Sequence, residues 1–137
     1  MYETGILQEL TVFHAMRGDF GAESHPHFHP YQVEWIIRTD RVDANGFATD
    51  ISAMKEVLGA VADELSGTFL NELPFFAERQ TSLENLAVYL HGELSRRLDA
   101  RRRDARSAGE RRSMRVRIRE SADAWASYDD SPSAGIA

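Results

Sequence analysis

Both ends of the chain alternate polar and apolar positions with a period of two, and the middle carries two stripes of helical period. From Ile6 to Arg17, Leu10, Val12, His14 and Met16 fall on one side and Thr11, Phe13, Ala15 and Arg17 on the other, which predicts a strand. A Gly-rich polar loop follows. His27 to Arg38 predicts a second strand, with His27, His29, Tyr31, Val33, Trp35 and Ile37 on one side and Pro30 marking an edge or a bulge. Asp43-Ala-Asn-Gly46 predicts a turn, and Asp50 stands as N-cap of a helix whose Met54, Leu58, Val61 and Leu65 form one stripe ended by Gly67. Thr81-Ser-Leu-Glu84 is a capping-box pattern that opens a second helix carrying Leu83, Leu86, Leu90 and Leu94. Ala105 to Glu110 reads as a flexible connection. Met114, Val116 and Ile118 then alternate with Arg115, Arg117 and Arg119 in a third strand, and Ala124 to Tyr128 gives a fourth. The order is β-β-α-α-β-β, an α+β pattern. It predicts one domain over residues 1–129, followed by a small polar tail, 130–137, expected to be flexible.

Composition narrows the class without naming a function. A chain of 137 residues with 42% hydrophobic content suits a single core. No apolar run reaches the ~18 residues of a membrane span, and no basic stretch precedes a hydrophobic one at the start, so the expectation is a cytoplasmic protein with no membrane partner. The absence of cysteine excludes disulfides and thiolate ligands, leaving histidine and carboxylate for any metal. A net charge of -6 argues against nucleic-acid binding, yet eleven of the sixteen basic residues fall between Arg96 and Arg119. That run contains no aromatic residue, as a stacking polynucleotide reader would require, and reads instead as a solvated or contact surface.

Two features carry candidate chemistry. His27 and His29, at i and i+2 of a strand, point to one face roughly 6 to 7 Å apart along the chain, where a third ligand from a neighbouring strand would complete a zinc site. Glu120 continues the parity of Met114, Val116 and Ile118 and is therefore expected to face inward, where a carboxylate needs a partner. A ligand with two adjacent N–H donors, such as the amidine edge of a pterin or guanine, would supply one.

The order of elements and these residues together resemble the 6-pyruvoyl tetrahydropterin synthase family, including its 6-carboxytetrahydropterin synthase members. Phe13-His-Ala15-Met-Arg17 lies where the family has Phe-x-Ala-x-His, and His27-Phe-His29-Pro-Tyr31-Gln-Val33 resembles its His-Gly-His-x-Tyr-x-Val segment. Gly46-Phe-Ala-Thr-Asp50-Ile, Leu70-Asn71, Thr81-Ser-Leu-Glu84-Asn85-Leu86-Ala87, and Glu120 with Tyr128 resemble its later motifs in the same order. The resemblance implies a tunnelling fold, an antiparallel four-stranded sheet with two helices on one face. Three subunits would close a barrel, and two rings would stack into a homohexamer with sites between subunits. It further implies a pterin-like ligand held by Glu120 with help from Thr81 and Ser82.

Three departures bear on activity. Arg17 occupies the place of one zinc histidine, and a guanidinium is not a metal ligand. Arg17 is therefore expected to set a fixed charge beside the ligand, leaving His27 and His29 as remnant ligands that only His14 or His25 could complete. Glu23 stands at the position of the catalytic cysteine, and Leu65-Ser66-Gly67 replaces the family's Leu-Asp-His, so the relay histidine is missing. His91 is read as a surface or partly packed residue. The resulting expectation is a divergent member that keeps a pterin-like binding site, holds no tight metal and does not run the family reaction. The alternative is a zinc-dependent 6-pyruvoyl or 6-carboxytetrahydropterin synthase-type lyase with Glu23 in place of the cysteine.

Overall fold

The computed structural model describes residues 1–101 and 112–131. Four strands, β1 (Tyr2–His14), β2 (His27–Thr39), β3 (Arg112–Ser121) and β4 (Ala124–Asp129), form one sheet in the order β1-β2-β3-β4, each pair antiparallel. Two helices, α1 (Ile51–Ser66) and α2 (Leu83–Arg101), lie between β2 and β3 in sequence. The expected β-β-α-α-β-β order and the fold class both hold. Expected boundaries shift by a few residues; the largest change is at β1, which starts at Tyr2 and ends at His14. Ala105 to Glu110, the expected connection, lies outside the described residues. No described helix is long and apolar enough to cross a membrane.

Period-two patterning becomes a one-sided sheet. Ile6, Leu10 and Val12 of β1, Tyr31, Val33, Trp35 and Ile37 of β2, and Met114, Val116 and Ile118 of β3 are all buried against one face. The helices cover that face with Met54, Leu58, Val61 and Leu65 from α1 and Leu86, Leu90, Leu94 and Leu98 from α2. Burying each such side chain contributes about 1.5–3 kcal/mol, so this layer supplies most of the driving force. Asp50 caps α1 by accepting from the Ala53 amide, and Gly67 ends it. At α2 the cap is Ser82, whose Oγ accepts from the Asn85 amide at 3.2 Å. The capping-box reading that began at Thr81 is thus displaced by one residue.

Pro30 falls on a stretch of β2 that β3 does not reach, because β2–β3 pairing starts at Gln32. The chain therefore places a residue without an N–H where one side of the strand is free. The basic run also finds its partners. Arg97 pairs with Glu64 and Glu93, Arg101 with Glu56, Arg112 with Asp99, and Arg115 and Arg117 share Glu34. Two of these pairs, Arg97–Glu64 and Arg101–Glu56, tie α2 to α1, so within the described residues the run serves intrachain ion pairing. Of the tail expected from Asp130, residues 132–137 lie outside the described residues; Asp130 itself is tied to β3, its side chain accepting from the Met114 amide at 2.8 Å and its own amide donating to the Met114 carbonyl at 3.1 Å.

Candidate metal centre and ligand cleft

β1 ends where β2 begins, and their register sets His14 directly opposite His27. The ring centroids of His14 and His27 are 4.6 Å apart, with His29 at 6.5 Å from His14 and 6.1 Å from His27. One ring nitrogen from each of the three lies within 4.8 Å of the other two. Parity explains the meeting: His14 continues the buried face of Leu10 and Val12, and His27 and His29 lead into that of Tyr31 and Val33.

Hydrogen bonds behind the rings fix which nitrogen is free. His14 Nδ1 lies 3.1 Å from the Thr81 carbonyl oxygen and 3.0 Å from Thr81 Oγ1. A carbonyl oxygen only accepts, so Nδ1 carries the hydrogen and Nε2 keeps its lone pair. That Nε2 is buried without a hydrogen-bond partner. His27 Nδ1 is bound in the same way to the His25 carbonyl at 2.8 Å. Burial, helped by the neighbouring His27, lowers the His14 pKa and favours the neutral ring that a metal requires. Three converging imidazoles, one with an orphaned buried nitrogen, are a donor set that suits zinc.

The other two residues considered for this site sit differently. His25 is exposed and contributes its backbone carbonyl, not its ring. Arg17 lies beyond the end of β1; its guanidinium donates to the carbonyls of Arg79 at 2.6 Å and Asn71 at 3.2 Å. Strand parity thus brings His14, one of the two histidines considered as third ligand, to His27 and His29, while the Arg17 guanidinium stitches two loops.

Residues 15–17 are clamped by side-chain amides that behave as strand partners. Asn71 both accepts from the Ala15 amide (3.0 Å) and donates to its carbonyl (2.8 Å), and Gln80 does the same for Arg17 (2.8 Å each). On the other side the Met16 amide donates to the Glu23 carbonyl at 2.8 Å. The loop carrying Glu23 turns at Gly18 and Gly21, with φ of 117° and 65°, conformations that residues with a Cβ rarely adopt. Ser24 Oγ closes it, accepting from the Phe20 amide and donating to the Gly18 carbonyl. Glu23 is exposed, yet its charge acts on both His14 and Tyr31.

Tyr31 links this cluster to the second candidate feature. Its ring stands 4.5 Å from that of His29, and it lines a cleft of about 270 Å³ with Leu10, Gln32, Arg119 and Glu120. Burial, then the charges of Glu120 and Glu23, raise its phenol pKa and hold it as a neutral donor. Glu120 keeps its place on the inner-face parity but is exposed in the single chain, contrary to the expected burial. The reason is that β2–β3 pairing stops at the Arg119–Gln32 pair, one residue short of Glu120, and a bulge interrupts β3–β4 pairing between Arg119 and Ser121. Sequence reasoning placed Tyr31 on the right face without giving it a role, and its parity with His27 and His29 was the available signal.

Residues 6–131 match the family described as 6-pyruvoyl tetrahydropterin synthase. The chain belongs to this family. Similar solved structures include the Caenorhabditis elegans 6-pyruvoyl tetrahydropterin synthase, at 19% identity and a TM-score of 0.74 over 95% of this chain and 96% of that one. The Plasmodium falciparum enzyme is 18% identical, with a TM-score of 0.72 over 93% and 96%. A Plasmodium vivax 6-pyruvoyltetrahydropterin synthase in which a glutamate described as catalytic is replaced by alanine gives 18% and 0.68 over 94% and 98%. No curated protein sequence matches.

Against the 6-pyruvoyl tetrahydropterin synthase pattern, the two residues at the start of α2 are already engaged. Thr81 is buried, and its hydroxyl donates to the Ala15 carbonyl at 3.1 Å; Ser82 is spent on the helix cap. His91 is buried beside Asp130 at 3.1 Å and edge-on to Tyr128, outside the three-histidine group.

Proposed function

We propose that this chain is a zinc-dependent lyase of the 6-pyruvoyl tetrahydropterin synthase type. His14, His27 and His29 would hold the metal, Glu23 would act as base, and Glu120 would anchor a pterin-like substrate. The observation that carries this reading is the convergence of three ring nitrogens within 4.8 Å, with two of the rings held by Nδ1 so that Nε2 is left free. It favours the zinc lyase over the non-catalytic reading, since no rescuing bulge is needed to bring in a third histidine. Zinc bound here would supply Lewis-acid polarisation of a substrate oxygen.

The protein's own groups then divide the work. Glu120, open to the cleft, accepts the two adjacent N–H donors of a pterin amidine edge in bidentate fashion. Tyr31, between His29 and Glu120, offers a neutral O–H toward the substrate between them. Glu23 accepts a proton at its carboxylate; a glutamate described as catalytic in the Plasmodium vivax protein supports this role. The exposure of Glu120 and the place of β1 and β4 at the two edges of the sheet favour a site completed by a neighbouring subunit in a closed-barrel homohexamer.

One observation favours a second reading, a pterin-binding member without the family reaction: Ser66 and Gly67 stand where the relay pair would be. The deciding experiment is zinc content per chain of the unchelated protein, followed by turnover of a dihydropterin triphosphate. Stoichiometric zinc with product formation supports the lyase. Stoichiometric zinc without turnover leaves the binding reading, and zinc-free protein rejects the metal site.

A further inference from the structure

Thr81 sits one residue before the N-cap of α2, at a point where the start of that helix is joined to the end of β1. Its backbone oxygen and its hydroxyl both face His14 Nδ1, at 3.1 and 3.0 Å. The same hydroxyl donates its only hydrogen to the Ala15 carbonyl at 3.1 Å. At 2% exposure, Thr81 has no open side from which to reach a ligand. Its neighbours hold it there: Gln80 pairs with the Arg17 backbone, and Ser82 caps the helix.

We infer that Thr81 is a positioning residue for His14, fixing the ring's orientation and tautomer so that Nε2 points at the metal, and that it takes no part in anchoring the pterin. This deepens the zinc reading and rests on it. The chemistry is that of a ligand histidine whose other nitrogen is hydrogen-bonded, the arrangement that aims the ring and raises its basicity. Because Thr81 immediately precedes the N-cap of α2, packing of the helix against the sheet sets the angle of a ligand that belongs to β1. Recognition of the substrate's N–H edge then falls to Glu120, whose carboxylate is open to the cleft.

The test compares Thr81→Val, which keeps shape and backbone carbonyl but removes the hydroxyl, with Thr81→Ser, which restores it. Zinc affinity is read by competition with a chromogenic chelator. Pterin affinity is read separately by fluorescence quenching on metal-free protein. Zinc binding about tenfold weaker in the valine variant, recovered in the serine variant, with pterin affinity unchanged, supports the inference. Unchanged zinc affinity with weakened pterin binding overturns it.

Long-range proton–nitrogen spectra of metal-free wild-type protein provide a readout that needs neither zinc nor a folded variant. Hydrogen on His14 Nδ1 supports the inference, and hydrogen on Nε2 overturns it. Wild-type protein that binds no zinc yet shows the Nδ1–H form rejects the metal reading while leaving the Thr81–His14 contact in place, so the two failures are distinguishable.

Discussion

His14 and His27 form a registered cross-strand pair, ring centroids 4.6 Å apart, at the point where β1 ends and β2 begins. Replacing His14 with Ala is expected to weaken zinc binding more than the ~10- to 100-fold that loss of an orienting partner costs, because a direct ligand is lost. Arg17→Ala should leave zinc affinity intact, since its guanidinium is bound to carbonyls. Metal titration of both variants checks the assignment, and the reverse pattern would remove His14 from the ligand set.

Glu23 and Glu120 are expected to separate chemistry from recognition. Glu23→Gln should lower turnover by about 10²- to 10⁴-fold with zinc and pterin binding retained, as for removal of a general base. Glu120→Gln should weaken pterin binding by roughly 2 kcal/mol with zinc retained, because one charge-assisted acceptor becomes a mismatched amide. Equal losses in every assay from both variants would refute this division.

The clamp on residues 15–17 is a stability prediction. Asn71→Ala leaves the Ala15 amide and carbonyl without their reciprocal partner and should destabilise the fold by about 1–3 kcal/mol. Denaturant unfolding measures it. A change below ~0.5 kcal/mol would mean that water replaces the amide without cost.

Hydrogen bonding from Arg96, reinforced by Arg97, holds the Glu93 carboxyl below its ordinary range. A depressed folded-state pKa gives stability that is fully present above the unfolded value of about 4.3 and is lost as pH falls through the folded value. Glu93→Gln should therefore cost about 0.5 kcal/mol near neutral pH, and the difference from wild type should close on acidification. Unfolding midpoints across that acid range test the sign; a gap that widens in acid contradicts it.

Much of this was legible in the chain itself. Alternation in β1, β2 and β3 and the leucine stripes of α1 and α2 determined which faces are buried, because strand and helix periods leave one solution when a single core must be covered. Asp50 and Gly67 fixed the limits of α1 by local backbone chemistry. The same parity already put His14 among Leu10 and Val12, and His27 and His29 with Tyr31, on faces bound for the interior. What the sequence could not decide was the register: only the antiparallel pairing of β1 with β2 sets His14 opposite His27, and a shift of one residue would have turned the ring to the other face. Nor could it foresee the uses of Thr81, Asn71, Gln80 and Arg17, whose partners lie 54 to 67 positions away. Their roles follow from where α2 comes to rest beside the end of β1. Glu120 likewise kept its parity but not its burial, since the inner face is closed only as far as β2 and β3 run together. Periodicity is a local property and reads from the chain; convergence of side chains from distant segments is a property of packing, and the fold alone supplies it.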